Sequence, residues 1–178
     1  GISVTGGVGI TIVGNQCINA TGTGPGGGID LEADGATDYL RDIQIVGNRI
    51  EGNYYGVIIT TAARNVTVTG NTIRDNGYID IDIADCSHVT VMGNTVQSVA
   101  KDTPTALIEV RSAQYVNIIG NVISGKQSAS DEREAIRVLV GDYVVISNNN
   151  ISDMRTQAIT VGSSGQTSSF TDVIVESN

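Results

Sequence analysis

The sequence predicts an all-β chain wound as a right-handed parallel β-helix, a solenoid of about seven rungs with one column of asparagines. Three observations predict it. A short motif recurs along the whole chain, an apolar pair in alternation followed by Gly-Asn. Val and Ile, the strand-favouring residues, carry most of the apolar content. Aromatic residues make up only 4% of the chain, with no Trp and one Phe, too few rings for an ordinary globular core.

The motif is clearest at Ile43, Ile45, Gly47, Asn48 and at Val66, Val68, Gly70, Asn71. It returns at Val89, Val91, Gly93, Asn94 and at Val116, Ile118, Gly120, Asn121. An earlier copy ends in Gly14 and Asn15. A variant ends in Asn148 and Asn149, and a last copy ends in Ser177 and Asn178. An apolar residue follows two positions after the asparagine, as at Cys17, Ile50, Ile73, Val96, Ile123 and Ile151. The asparagines stand 33, 23, 23, 27, 28 and 29 residues apart. A constant motif at unequal intervals describes a repeated coil with loops of different length.

Each coil carries a companion strand before the motif strand. Its inward pairs are Ile2/Val4, Ile29/Leu31, Val57/Ile59, Ile81/Ile83, Ile108/Val110, Ile136/Val138 and Ile159/Val161. Period-2 alternation of this kind buries one face of a strand and leaves the other wet. The Val57 pair sits one residue out of step with its motif, so a bulge is expected there. Gly and Asn both tolerate a left-handed corner. Stacked asparagine amides can also satisfy the polar groups that a corner buries. No 3.6-residue periodicity argues for a helical solenoid, and an antiparallel sandwich would not need the same turn in every coil.

Domain organisation follows from the repeat. Residues 1–178 read as a single β-helix domain. Solenoid ends need caps, none is visible in the sequence, and the stretch is expected to be part of a larger chain.

Charge excludes some partners. The formal net charge is −9, which repels nucleic acid, and no basic stripe offsets it. Membrane insertion is not expected, since no apolar run approaches the ~20 residues that span a bilayer. Cys17 falls in an inward slot and reads as a small core residue. Cys86 lies about three rungs away, too far for a disulfide.

The outward positions of the companion strand carry the chemistry. In order they are Asp30, Ile58, Asp82, Glu109, Arg137 and Thr160, flanked by Glu32, Asp80, Arg111 and Leu139. Asp80, Asp82 and Glu109 are the candidate catalytic residues, because stacked carboxylates can shift one another's pKa and divide acid from base work. Arg111, Arg137, Glu32 and Asp30 are the candidate substrate-binding residues, with the arginines suited to acidic sugars. The alternative is a solvated strand whose acids and arginines form ordinary cross-strand pairs. Long connections at 18–28, 97–107 and 124–135 would wall a groove over this strand. Asp131 and Glu134 lie in one of them, and Lys101 in another. The glycines at 22, 24, 26, 27 and 28 lack the Gly-Lys-Ser/Thr ending of a phosphate cradle.

No cofactor is expected. One His and no Cys-x-x-Cys argue against zinc. Calcium is the alternative, through Asp80, Asp82 and Asp85, although their spacing fits no standard calcium loop. His88 reads as a surface turn residue. Outward positions before Gly-Asn form a further stripe, namely Val13, Val46, Thr69, Met92, Ile119 and Ser147. Its apolar members suggest a partner surface, such as the seam of a homotrimer, or a surface covered by another part of a longer chain.

The repeat resembles the right-handed parallel β-helix coils of the pectate-lyase-like superfamily over essentially all 178 residues. That resemblance implies polysaccharide as partner and an extracellular or virion-surface location. It implies either a hydrolase or lyase segment or a non-catalytic shaft or adhesin. The polygalacturonase and epimerase signatures are absent. The acids on outward strand positions are compatible with the tailspike depolymerases of that superfamily, which use no fixed motif. The arginines match the arginine base of pectate lyases only loosely.

Overall fold

The computed structural model describes residues 1–22, 26–35, 39–97, 106–125, 133–162 and 170–178. Those residues form strands and turns, and every strand pairing among them is parallel. The chain winds through three strands per coil. The companion strands stack as Ile2–Val4, Gly27–Leu31, Tyr55–Ile59 and Ile81–Ala84. That face continues through the first halves of Ala106–Ile119 and Glu134–Ser147 to Ile159–Val161. The motif strands stack beside them, from Thr11–Val13 and Leu40–Val46 to Phe170–Glu176. A third face of six short strands follows the asparagines, from Gln16–Ile18 to Asn150–Ser152. There are fewer complete turns than seven motifs suggest, because the third face has one strand fewer than the other two.

The inward positions are those the alternation assigns. Ile29, Leu31, Val57, Ile59, Ile81, Ile83, Ile108 and Val110 are buried. So are the motif pairs from Ile43/Ile45 to Val144/Ile146. Cys17 fills the third-face slot level with Ile50. Both cysteines are free and buried, and burial pushes the Cys86 thiol up to about 12.

The asparagine column is continuous. Each backbone N–H from Asn15 to Asn149 donates to the side-chain oxygen of the next asparagine, at 2.8–3.1 Å. Each amide nitrogen also donates to that same oxygen. From Asn48 onward it donates to a buried carbonyl as well, as Asn94 does to Val68 at 2.9 Å. The side chains at 48, 71, 94, 121 and 149 are nearly or fully buried, so the column satisfies polar groups that water does not reach.

The left-handed backbone belongs to the residue before the asparagine. Gly14, Gly47, Gly70, Gly93 and Gly120 have φ between 62° and 68°. The asparagines that follow do not, contrary to the expectation that both residues share the turn. A Cβ built on any of these glycines would meet nothing within 4 Å. Conformation alone therefore selects glycine here, which is why Asn148 (φ 55°) and Ser177 (φ 52°) can replace it.

The expected bulge at Val57 is not present. Val57 and Ile59 pair with Ile81 and Ile83 without interruption. The extra residue is absorbed in the following turn, where Thr61 and Ala62 are both left-handed. Register shifts occur instead between Val110 and Ala113 against the next coil, where Arg111 pairs with Val140 and Leu139 is passed over.

Candidate functional site

The companion strands hold the outward ladder in register. Ser3, Asp30, Ile58, Asp82, Glu109, Arg137 and Thr160 stand level on consecutive rungs. The expectation of a wet outer face fails here. Asp30 and Ile58 are 6% exposed, and Asp82 and Glu109 are 4% exposed. From Asp30 to Glu109 this sheet is buried on both sides, while Ser3 stays exposed and Arg137 and Thr160 half-buried, so the carboxylates in the middle rungs need partners.

Arginines supply them. Arg111 Nη2 donates to Asp82 Oδ2 at 2.6 Å, and its Nε lies 3.2 Å from Glu109 Oε1. Arg137 donates through Nε to Glu109 Oε2 at 2.9 Å, and through Nη2 to the same oxygen. Arg137 Nε also lies 3.7 Å from Glu134. Asp82, Arg111, Glu109 and Arg137 thus form one chain of alternating charge. The carboxylates are inside it, while the side chain of Arg111 remains 43% exposed. Burial raises the Asp82 pKa against the opposing pull of Arg111. Burial also works against the Arg111 charge, but Asp82 and Glu109 outweigh it and hold the guanidinium more firmly protonated.

Asp30 lies two rungs from Asp82, with Ile58 between them. Its Oδ1 is buried and has no hydrogen-bond partner. Burial, then the charges of Glu32 and Asp34, push its carboxyl up to about 6. Glu32 is exposed beyond the ladder. Asp30 and Glu32 therefore form a pair apart from the Asp82–Glu109 cluster.

Asp80 does not join the site. It is fully buried, and Asn76 Nδ2 donates to its Oδ1 at 2.7 Å. Burial pushes its carboxyl up to about 7, against the Asn76 hydrogen bonds and the charge of Arg133. The reason is a second, shorter amide column on the neighbouring corner. Asn53 Oδ1 accepts from the Ala20 N–H at 2.8 Å, and Asn76 Oδ1 accepts from the Asn53 N–H at 3.0 Å. Asp80 terminates that column, so its role is structural. The column was open to a sequence reading, because Asn53 and Asn76 both follow their third-face apolar residue by three positions.

Three tyrosines border the charged cluster, and the sequence reading passed over them. Tyr54 and Tyr78 stack with centroids 5.6 Å apart, and Tyr55 meets both edge-on at 5.3 and 5.2 Å. Burial, then the Asp82 charge, push the Tyr55 phenol up to about 12. Tyr54 is 48% exposed, so the cluster keeps one ring in solvent.

Among the described residues, no three His, Cys, Asp or Glu side chains converge as metal ligands. Asp85, the third acid of the calcium alternative, is exposed in its own turn at φ 49°. His88 is exposed, as expected of a surface residue, but it lies within the strand Ser87–Met92 at a left-handed φ of 58° rather than in a turn. The stripe from Val13 to Ser147 is in register, with Val13 60% and Met92 45% exposed and Ser147 buried. Most of the long connections expected to wall the groove, at 97–107 and 124–135, lie outside the described residues. So do the glycines at 24 and the residues Lys101 and Asp131.

Parallel coils, an amide column and one charged, partly aromatic face define a β-helix solenoid. Residues 1–129 match the family model described as right handed beta helix region, and the chain belongs to that family. No curated protein matches the chain.

Proposed function

We propose that this β-helix binds polysaccharide across the companion-strand face, as part of an extracellular or virion-surface protein. The observation that carries the proposal is the Asp82–Arg111–Glu109–Arg137 chain beside Tyr54, Tyr55 and Tyr78. Guanidinium groups already fixed by carboxylates present their remaining N–H groups in a set direction, which suits the carboxylate of an acidic sugar. Tyrosine rings offer an apolar face to the sugar ring and a hydroxyl for its oxygens. Both sit on stacked strands, which hold position better than loops.

The test is calorimetric titration of the chain with uronate-containing and neutral polysaccharides. Arg111→Ala and Tyr54→Ala are expected to weaken uronate binding, with the fold retained by circular dichroism. If no polysaccharide binds, the site is a structural ion-pair network and the chain is a shaft.

One observation favours cleavage in addition to binding. Asp30, with a raised pKa and an unpartnered oxygen, stands level with Asp82 two rungs away, roughly 10 Å along the axis. Inverting glycosidases place their acid and base about 6.5–9.5 Å apart, slightly closer than the rung spacing of this pair. The raised pKa of Asp30 favours the protonated form that an acid needs, and Asp82, paired with Arg111, is the acceptor. Asp82 and Glu109 on adjacent rungs, roughly 5 Å apart along the axis, suit the closer retaining arrangement. A lyase using Arg111 or Arg137 as base is disfavoured, because Asp82 and Glu109 hold Arg111 more firmly protonated and Arg137 is engaged by Glu109 and Glu134. Asp30→Asn and the Asp82→Asn/Glu109→Gln double variant should each abolish reducing-end release from any polysaccharide that the parent chain cleaves. Unchanged release would remove these acids from the mechanism.

A further inference from the structure

Around the corner from the charged face lies a second surface of different chemistry. Asp42, Asn65, His88, Tyr115, Tyr143 and Asp172 each occupy the left-handed position just before the first inward residue of the motif pair, with φ between 52° and 58°. Asn and Asp are the residues this backbone tolerates best. Three consecutive rungs depart from that choice and place a ring there. His88 stacks on Tyr115 at 4.7 Å, and Tyr115 stacks on Tyr143 at 4.8 Å with the rings nearly parallel. Tyr115 and Tyr143 are each 44% exposed. Stacking offsets part of the backbone strain, but Asn or Asp would carry less of it. Strained, exposed ring positions of this kind concentrate at binding surfaces.

A groove of about 310 Å³ runs beside the rings, lined by Asn65, Thr67, His88, Thr90, Tyr115 and Asn117. Thr67, Thr90 and Asn117 stand level on three neighbouring rungs. Every lining side chain can hydrogen-bond, and none carries a full charge when His88 is neutral. Hydroxyls and amides that both donate and accept match sugar hydroxyls, which do the same. The three rungs span roughly 10 Å, the length of a short oligosaccharide lying along the rod.

We propose that this groove, between the His88–Tyr115 rings and the Thr67–Thr90–Asn117 row, is a binding site for neutral oligosaccharides, separate from the charged face. It differs from that face in ligand class, so its failure and that of the first site are distinguishable.

Saturation-transfer NMR and calorimetry with maltotriose, cellotriose, mannotriose and chitotriose test it. At least one trisaccharide should bind the unmodified chain. Tyr115→Asn removes the ring and keeps a residue suited to the left-handed corner. It should weaken binding about tenfold or more, the scale of one lost ring contact. Thr90→Val, nearly isosteric, should weaken it without changing the circular dichroism spectrum, and supplies the test if the Tyr115 variant does not fold. Asp82→Asn should leave it unchanged. The proposal is overturned if no trisaccharide binds, if Thr90→Val binds as the parent does, or if Asp82→Asn abolishes binding.

Discussion

Asn76 donates to Asp80 at 2.7 Å, and this contact ends the second amide column on a buried acid. An asparagine there would supply the same acceptor oxygen without a titratable proton. The stability of the coil therefore depends on pH.

Asp80 has its pKa pushed up to about 7 and Asp30 to about 6, and Asp82 is shifted the same way. A carboxyl whose folded pKa lies above its unfolded value binds its proton more tightly when folded. Its contribution to stability is full below the ordinary carboxylate range and is lost as pH rises through the folded value. The melting temperature should therefore fall as pH rises from about 4, the ordinary carboxylate value, to about 7, the folded value of Asp80. Asp30→Asn should lessen that slope up to about pH 6, and Asp80→Asn should lessen it up to about pH 7. Thermal melts across the pH series check both.

The asparagine column should be far more sensitive at its centre than at its first rung. Asn94→Ala leaves the Asn71 backbone N–H, one Asn71 side-chain N–H and the Val68 carbonyl without the buried partner that Asn94 supplies. Unsatisfied buried groups cost about 1–3 kcal/mol each, so a loss of about 3 kcal/mol or more is expected. Asn15→Ala, half-exposed and with no asparagine donating to it, should cost less than half as much. Denaturant unfolding of the two variants gives the comparison.

Corner glycines offer a test that separates conformation from space. Gly93→Ala meets no neighbouring atom, yet holds a left-handed φ of 64°. A cost of about 1–2 kcal/mol is expected from the backbone alone. Gly93→Asn should recover much of it, as Asn148 does in its own coil. Equal losses in the two variants would contradict the conformational account.

Within the charged chain, Arg137 and Glu109 are unequal partners. Arg137→Leu leaves Glu109, 4% exposed, with Arg111 as its one remaining cation among the described residues. Breaking a buried pair from one side typically costs about 3–5 kcal/mol, and the exposed Arg111 reduces that here. A destabilisation of about 2 kcal/mol is expected by denaturant unfolding, and pairing it with Glu109→Leu should restore most of the loss.

Much of this fold was legible because parallel stacking demands the same residue type at the same place in every coil. Asn48, Asn71 and Asn94 announce the column, and the Ile81/Ile83 and Ile108/Val110 pairs announce their register. The charged ladder from Asp30 to Arg137 followed from alternation alone. Asp80 was misplaced because position along a strand does not report what precedes it. The turn after Asn76 folds its carboxyl under the corner, where an amide waits. The exposed face was misjudged because alternation reads one buried side, whereas Arg111 and Arg137 reach across rungs and cover their neighbours. Tyr54, Tyr55 and Tyr78 carried a signal, a spacing of 23 and 24 residues, but rings on short links do not repeat in other coils.

The asparagine amides all point the same way. Every Nδ2 faces the following coil and every Oδ1 the preceding one. Parallel strands contribute little net moment of their own, but these seven aligned amides add along the axis. The column consequently carries a dipole along the axis, its negative end toward the first coil and its positive end toward the last, superposed on the chain's net charge of −9.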